Sequence, residues 1–265
     1  MVTSPLRPRK SLGQCFLTDP RLAKKIVALA RVTRDDHVVE IGPGRGILTR
    51  QLAEQAGALT AIELDARWHA ALRDEFAAAS RVRVEHADAL TYPFEQIAPR
   101  FKVVANLPYY LSTPILFRLL GLGTRISLMV LMLQREVVDR LVALPGTKVY
   151  GALSVAVAYA AEVRKEFTVS PGSFTPRPAV HSAVVSVLPR SLPAVAVRDQ
   201  GLFFRVVRAA FAHRRKTLPN SLEHEGFDAT HVAAALQASR ITSTRRGETL
   251  TVAEFGRLAD ALEAR

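Results

Sequence analysis

From His37 onward, short apolar runs alternate with stretches of helical periodicity: "HVVEIG", then "ILTRQLAEQA", "ALTAIEL", "ARWHAALRDEFAAA" and "RVRVEHAD". A strand followed by an amphipathic helix, repeated in this way, predicts an α/β fold with a parallel, doubly wound sheet. Further strands are predicted at "KVVANL", "ISLMVLML", "VRKEFTV" and "SAVVSVLP". Only the Pro-rich "SPGSFTPRP" separates the last two, so an antiparallel, hairpin-like end to the sheet is expected there. After Pro189 the pattern changes: "RSLPAVAVRD" reads as a linker, and "LFFRVVRAAFA", "THVAAALQAS" and "VAEFGRLADAL" carry helical spacing and no strand alternation. The expected division is a sheet domain over residues 1–189 and a small, all-helical C-terminal domain over 190–265.

Charge narrows the partners. The chain of 265 residues is 49% hydrophobic, enough for a full core and a second small unit, yet it carries a formal charge of +12. Such an excess favours a polyanion, nucleic acid or an acidic surface. It is also uneven. Before residue 35, Arg7, Arg9, Lys10, Arg21, Lys24, Lys25, Arg31 and Arg34 face Asp19 alone, and between Gly201 and Leu222 the cations Arg205, Arg208, Arg214, Arg215 and Lys216 face no acid. The last three resemble a phosphate-contacting stripe, so an RNA-binding role is expected of them. A single cysteine, Cys15, excludes an internal disulfide and any multi-cysteine metal site, and no metal is expected. With no uncharged apolar run of about 18 residues and no signal-peptide core, a reducing, cytoplasmic setting without a membrane is expected.

Candidate chemistry begins at "EIGPGRG", between the first strand and the helix after it. Backbone N–H groups and a positive helix end face whatever binds at such a loop. A dinucleotide fingerprint wants glycines at relative positions 1, 3 and 6. Here they fall at Gly42, Gly44 and Gly46, with Ile47 at the sixth position, the E/D-x-G-x-G spacing of methyltransferase loops. Glu63 ends the next strand about twenty residues on, where a carboxylate can accept from both ribose hydroxyls. Asp88, in "HADAL", stands at the end of the third strand, where it could accept from the exocyclic amine of an adenine.

The strand "KVVANL" stops at Asn106-Leu107-Pro108-Tyr109, and a helix opens just beyond, with Pro114 in its first turn. An adenine N6 is a poor nucleophile because its lone pair is delocalised into the ring. Acceptors for its two N–H groups favour the more tetrahedral nitrogen that attacks a methyl carbon. Asn106 offers a side-chain oxygen, Pro108 presets an extended Leu107 whose carbonyl can serve as the second acceptor, and Tyr109 offers a face for stacking.

In order along the chain, "GQCFL", "EIGPGRGILT", "IELD", "HADAL", "NLPYY", "FTPRPAVHSAVV" and "FAHRRKTLPNSL" resemble the KsgA (RsmA) family of small-subunit rRNA adenine N6,N6-dimethyltransferases, from about residue 8 to about residue 250. The resemblance implies a class I (Rossmann-like) methyltransferase fold, S-adenosyl-L-methionine as donor, and dimethylation of two adjacent adenosines in the 3′-terminal hairpin loop of 16S rRNA. The implied partner is that rRNA within the 30S subunit or its precursor, and the implied state a monomer. Donor contacts carry over to Leu17, Gly42, Gly44, Glu63, Asp88 and Asn106. Target-base contacts carry over to Asn106, Leu107, Tyr109 and Phe174, the last sandwiching the adenine.

Three departures stand out, of which "RRGETL" in place of the usual Arg-Pro form touches only a loop. Cys15 stands where the family usually has Asn, so contact there is expected through backbone only, and His181 stands where an acid is common. Among the remaining aromatics, Tyr110, Phe117, Phe101, Phe203, Phe204 and Phe211 sit at strand or helix spacings and are expected in cores. Three alternatives stay open: the related Erm type acting on 23S rRNA, an RNA-binding factor that has lost the chemistry, and DNA adenine methylation. Intact Glu63, Asp88 and Asn106 count against the second.

Overall fold

The structure, a computed structural model, describes residues 6–9 and 14–263, so Lys10 and Gly13 lie outside the described residues. A two-residue strand β1 (Phe16–Leu17) leads into α1 (Pro20–Leu29), which opens on Asp19 accepting from the Arg21 N–H at 2.9 Å, with Pro20 in the first turn. The alternation then appears as read: β2 (His37–Ile41), α2 (Ile47–Gln55), β3 (Ala58–Glu63), α3 (Ala66–Glu75), β4 (Val82–His86), β5 (Phe101–Asn106), α4 (Ser112–Leu120) and β6 (Ile126–Gln134). After α5 (Arg135–Leu141) and α6 (Ala152–Ala160) come β7 (Ala161–Val169), the short β8 (Phe174–Thr175) and β9 (Ser182–Pro189).

Seven strands form one sheet in the order β4-β3-β2-β5-β6-β9-β7, with β8 pairing instead with β1. Strands β2 to β6 pair in parallel, and β9 runs antiparallel to β6. Val38, Val39, Val103, Val104 and Val130 are wholly buried, as strands covered on both faces require. Each contributes roughly 1.5–3 kcal/mol of burial. The chain leaves β2 toward β3 and β4, then returns to the other side of β2 as β5. The strand order therefore reverses between β2 and β5, and open α/β sheets form their ligand crevice at the carboxyl ends of strands at such a point.

The remaining helices are α7 (Gln200–Ala212), α8 (Leu218–His224), α9 (Ala229–Ala238) and α10 (Val252–Glu263). Asp199 caps α7 and Asp228 caps α9. Phe203 and Phe255 are wholly buried here, with Phe204 and Phe211 packed against the same core, as expected.

The boundary between units differs from the expected cut. One compact unit runs to Val138 and resumes over Arg164–Pro189; the other joins Asp139–Val163 to the chain from Arg190 onward. The segment Asp139–Val163 belongs with the helices because α6, "ALSVAVAYA", is apolar on nearly every side and needs a partner all round. Tyr159 stacks on Phe203 with ring centroids 4.8 Å apart and meets Phe204 edge-on at 5.3 Å. The Arg190 and Ala194 N–H groups donate to the Ala160 and Tyr159 carbonyls, each at 2.9 Å. Among the described residues no helix is long and apolar enough to cross a membrane.

Candidate active site

The glycine loop joins β2 to α2. Gly42 and Gly44 have φ of 67° and 53°, in the left-handed region that glycine enters at little cost. Gly44 also has no room for a side chain, since a Cβ there would lie 2.6 Å from the Phe16 ring. No side chain caps α2, whose N-cap is Gly46, so the first-turn N–H groups keep their donor capacity and the helix presents its positive end. The Gly44 N–H donates to Glu63 Oε2 at 2.9 Å, and the Asp65 N–H donates to Glu63 Oε1 at 2.8 Å. Each carboxylate oxygen thus spends one lone pair on the backbone and keeps another for a ligand hydroxyl. Burial, reinforced by the Asp65 charge, pushes the Glu63 carboxyl above its ordinary range, while these backbone donors pull the other way.

Across the crevice the carboxyl end of β5 supplies the second wall. Asn106 Nδ2 donates to the Cys15 carbonyl at 3.4 Å, which turns the amide so that Oδ1 is the atom left to accept. The Cys15 backbone is thus engaged by Asn106, and burial raises the Cys15 thiol above its ordinary value. The Leu107 N–H donates to the Met132 carbonyl at 3.1 Å, anchoring the tetrapeptide to β6. Tyr109 is fixed at both ends: its hydroxyl lies 2.6 Å from Ser182 Oγ, and its carbonyl accepts from the Ser112 hydroxyl at 3.0 Å. Asp88 Oδ1 accepts from the Leu90 N–H at 2.8 Å, which orients its carboxylate.

One cavity is lined by Gly42, Gly44, Glu63, Asp88, Asn106, Leu107 and Tyr109 together. Leu17 and Phe174 do not line it. They pair across the antiparallel β1 and β8 and are both buried in the core beneath, at 3% and 4% exposure. Successive strand residues face opposite ways, so with Leu17 turned inward it is Phe16 that reaches the cavity, and Phe174 shares the face of its partner Leu17. Alternation within "FL" is the signal that points to Phe16.

Tyr110 is likewise no core residue. It is 52% exposed at the cavity rim, and Phe117 is 41% exposed, whereas Phe101 is buried as expected. Tyr110 lies in the turn after Pro108, before the helical spacing begins, and Phe117 falls off the stripe of Ile115, Leu116, Leu119 and Leu120 that α4 buries. Gln14 was also missed; its Nε2 donates to Asp65 Oδ2 at 3.1 Å, tying the segment before β1 to the end of β3. Arg214, Arg215 and Lys216 lie in the other compact unit, in the turn after α7. There Arg214 Nη2 donates to the Lys148 carbonyl at 2.6 Å.

A family model described as "Ribosomal RNA adenine dimethylase" matches residues 6–263. The chain belongs to the ribosomal RNA adenine dimethylase family. It is 46% identical to the Ribosomal RNA small subunit methyltransferase A of Moorella thermoacetica, with 97% of this chain and 93% of that protein covered. The protein of the same name from Geobacillus thermodenitrificans is also 46% identical, covering 96% of this chain and 90% of that one. Among solved structures, a dimethyladenosine transferase from Plasmodium falciparum matches with a TM-score of 0.78 at 26% identity, covering 92% of this chain and 95% of that one. The 23S rRNA methyltransferase ErmE matches at 0.71 and 26%, covering 94% and 99%.

This rRNA adenine dimethylase is thus an S-adenosylmethionine-dependent methyltransferase with the class I fold. Its cavity fits that donor: open N–H groups at the α2 end, paired acceptors on Glu63, the oriented carboxylate of Asp88, and apolar walls from Phe16, Ile62 and Ala89.

Proposed function

We propose that this chain dimethylates N6 of two adjacent adenosines in the 3′-terminal hairpin loop of 16S rRNA, in the 30S subunit or its precursor, acting as a cytoplasmic monomer. The choice of small-subunit rRNA is supported by 46% identity to enzymes named for that substrate, against 26% to ErmE. The observation that carries the chemistry is the Asn106 amide, whose orientation by the Cys15 carbonyl leaves Oδ1 as an acceptor at the mouth of the donor cavity.

S-adenosylmethionine supplies an electrophilic methyl group. The remaining work falls to the residues around it. Glu63 and Asp88 hold the donor through charge-assisted hydrogen bonds, each worth roughly 1.5–3 kcal/mol. Asn106 Oδ1 and the Leu107 carbonyl accept the two N–H bonds of the target amine and bias its nitrogen toward tetrahedral geometry. Tyr109, held at both ends, gives the extracted base a fixed face, and extraction from a hairpin loop is cheap because such bases are poorly stacked. No strong base is needed, since the cationic product loses its proton readily. Arg214, Arg215 and Lys216 are proposed to contact phosphates.

The test is transfer from labelled S-adenosylmethionine to 30S subunits lacking these methyl groups, followed by nucleoside mass analysis, for the unaltered protein and Asn106→Ala. N6,N6-dimethyladenosine from the unaltered protein alone is the expected outcome. Full turnover by Asn106→Ala would sink the acceptor argument, and transfer to 50S precursors in place of 30S would move the assignment to the Erm type.

A further inference from the structure

We propose that His213, His224 and Glu225 form a binding site for a divalent transition-metal ion of the zinc class, closing the turn between α7 and α8. One ligand atom from each residue can be chosen so that all three lie within 4.8 Å of one another. His213 Nε2 and Glu225 Oε1 are 3.0 Å apart, and the two imidazole rings meet with centroids 4.2 Å apart at 64°.

Two imidazoles and a carboxylate are the ligand set that holds zinc with one coordination position left open, and imidazole also suits copper and nickel. A simple ion pair between His213 and Glu225 needs only one histidine and leaves the second unexplained. A metal can take one ring nitrogen from each imidazole and one carboxylate oxygen from Glu225.

The frame around the ligands is held in place. The His213 carbonyl accepts from the Lys216 N–H at 3.0 Å and from the Ser221 hydroxyl at 3.3 Å, which fixes the backbone carrying the first ligand to α8. His224 is the last residue of α8 and Glu225 its C-cap, with Gly226 at φ 86° turning the chain away immediately afterwards. The sequence offers no familiar zinc spacing here, because the ligands come from the ends of two helices. A bound ion would tie the end of α7 to the end of α8 across the turn that carries Arg214, Arg215 and Lys216, and its open position would take water or an anionic oxygen.

The experiment titrates zinc chloride into the metal-free, untagged full chain by calorimetry, beside His224→Asn, Glu225→Gln and Cys15→Ser. Thermal melting is followed with and without one equivalent of zinc. Loss of a group merely supporting a metal ligand costs about 10- to 100-fold in affinity, so loss of a ligand should cost at least as much. One saturable site is expected, weakened to that extent in His224→Asn and Glu225→Gln, unchanged in Cys15→Ser, with zinc raising the Tm of the unaltered chain but not of His224→Asn. His224 is exposed, so that variant should fold, which its circular dichroism checks. Absence of one-to-one binding overturns the proposal, as does equal affinity in His224→Asn or loss of binding in Cys15→Ser.

Discussion

Glu40, two residues before the first glycine of the donor loop, is 1% exposed, and its Oε2 has no hydrogen-bond partner of good geometry. Burial pushes its carboxyl from an ordinary value of 4.5 up to about 8; the nearby Glu63 charge adds to the rise, while Thr49 and Arg50 oppose it. Between these two values the folded chain holds a proton that the unfolded chain has released. The favourable state is therefore fully present below about 4.5 and is lost as pH rises through about 8. One extra bound proton makes stability fall by about 1.4 kcal/mol per pH unit inside the window, or roughly 3 kcal/mol between pH 4 and pH 7. Glu40→Gln removes the titration. Its amide carries a constant cost of its own, since two donors enter a site with poor acceptors, but that cost does not vary with pH. Urea unfolding of both proteins at pH 5, 6, 7 and 8 should show the unaltered chain losing stability relative to the variant at about 1.4 kcal/mol per unit. Curves that run parallel across that range would refute the reasoning, whatever their offset.

Gly44→Ala puts a Cβ 2.6 Å from the Phe16 ring at φ 53°. The left-handed backbone costs about 1–2 kcal/mol and the overpacking about 1–3 kcal/mol, so both Tm and S-adenosylmethionine affinity should fall, and calorimetric binding equal to that of the unaltered protein would contradict the close-approach argument. Tyr110→Ala removes an exposed ring at the cavity rim, and if that ring stacks an RNA base the loss is roughly 1–3 kcal/mol in kcat/KM for RNA, with donor affinity unchanged; equal kcat/KM would make Tyr110 an idle surface ring. Replacing Arg214, Arg215 and Lys216 together by Ala should lower the slope of log affinity against log salt. Each phosphate contact is worth about 0.7–0.9 in that slope, and because Arg214 is already held by the Lys148 carbonyl the reduction should be about 1.4–1.8, the share of two contacts. A slope that does not move would remove this turn from the RNA-contacting surface.

The sheet was legible because its strands are five to nine residues long and carry either apolar runs or apolar–polar alternation, and the donor loop because its glycines follow one of them. What escaped lacks such a signal. Strands β1 and β8 are two residues each, and Leu17, carried over from the family resemblance, was expected in the cavity that Phe16 reaches instead. Phe174 was expected to sandwich a base, yet its register opposite Leu17 commits it to the core. In α6 the apolar residues cover nearly every face, so no periodicity marks which side is buried, and only the contacts with α7 show which unit it joins. The proposed metal site at His213, His224 and Glu225 rests on two helix ends meeting in space, which no spacing along the chain reports.

The two motifs that were legible, "GPGRG" and "NLPYY", are far apart in sequence, and what makes them one site is strand register. Ile41 of β2 sits opposite Ala105 of β5, so Gly42, the first residue beyond β2, and Asn106, the last residue of β5, come side by side. A Cβ on Gly42 would lie 3.9 Å from both the Asn106 carbonyl oxygen and Pro108 Cδ, a measure of how closely the donor loop and the acceptor turn approach. β5 can lie beside β2 only because the chain has already wound through β3 and β4 on the other side, which brings Glu63 and Asp88 to the same end of the sheet. Doubly wound topology thus brings the donor's acceptors and the base's acceptors together at one reversal of strand order. A shift of β5 by one residue against β2 would turn every β5 side chain to the other face and carry Asn106 away from the cavity. That register is held by backbone bonds on both flanks of β5 and by wholly buried valines, which is why the acceptor sits on a strand end and not on a free loop.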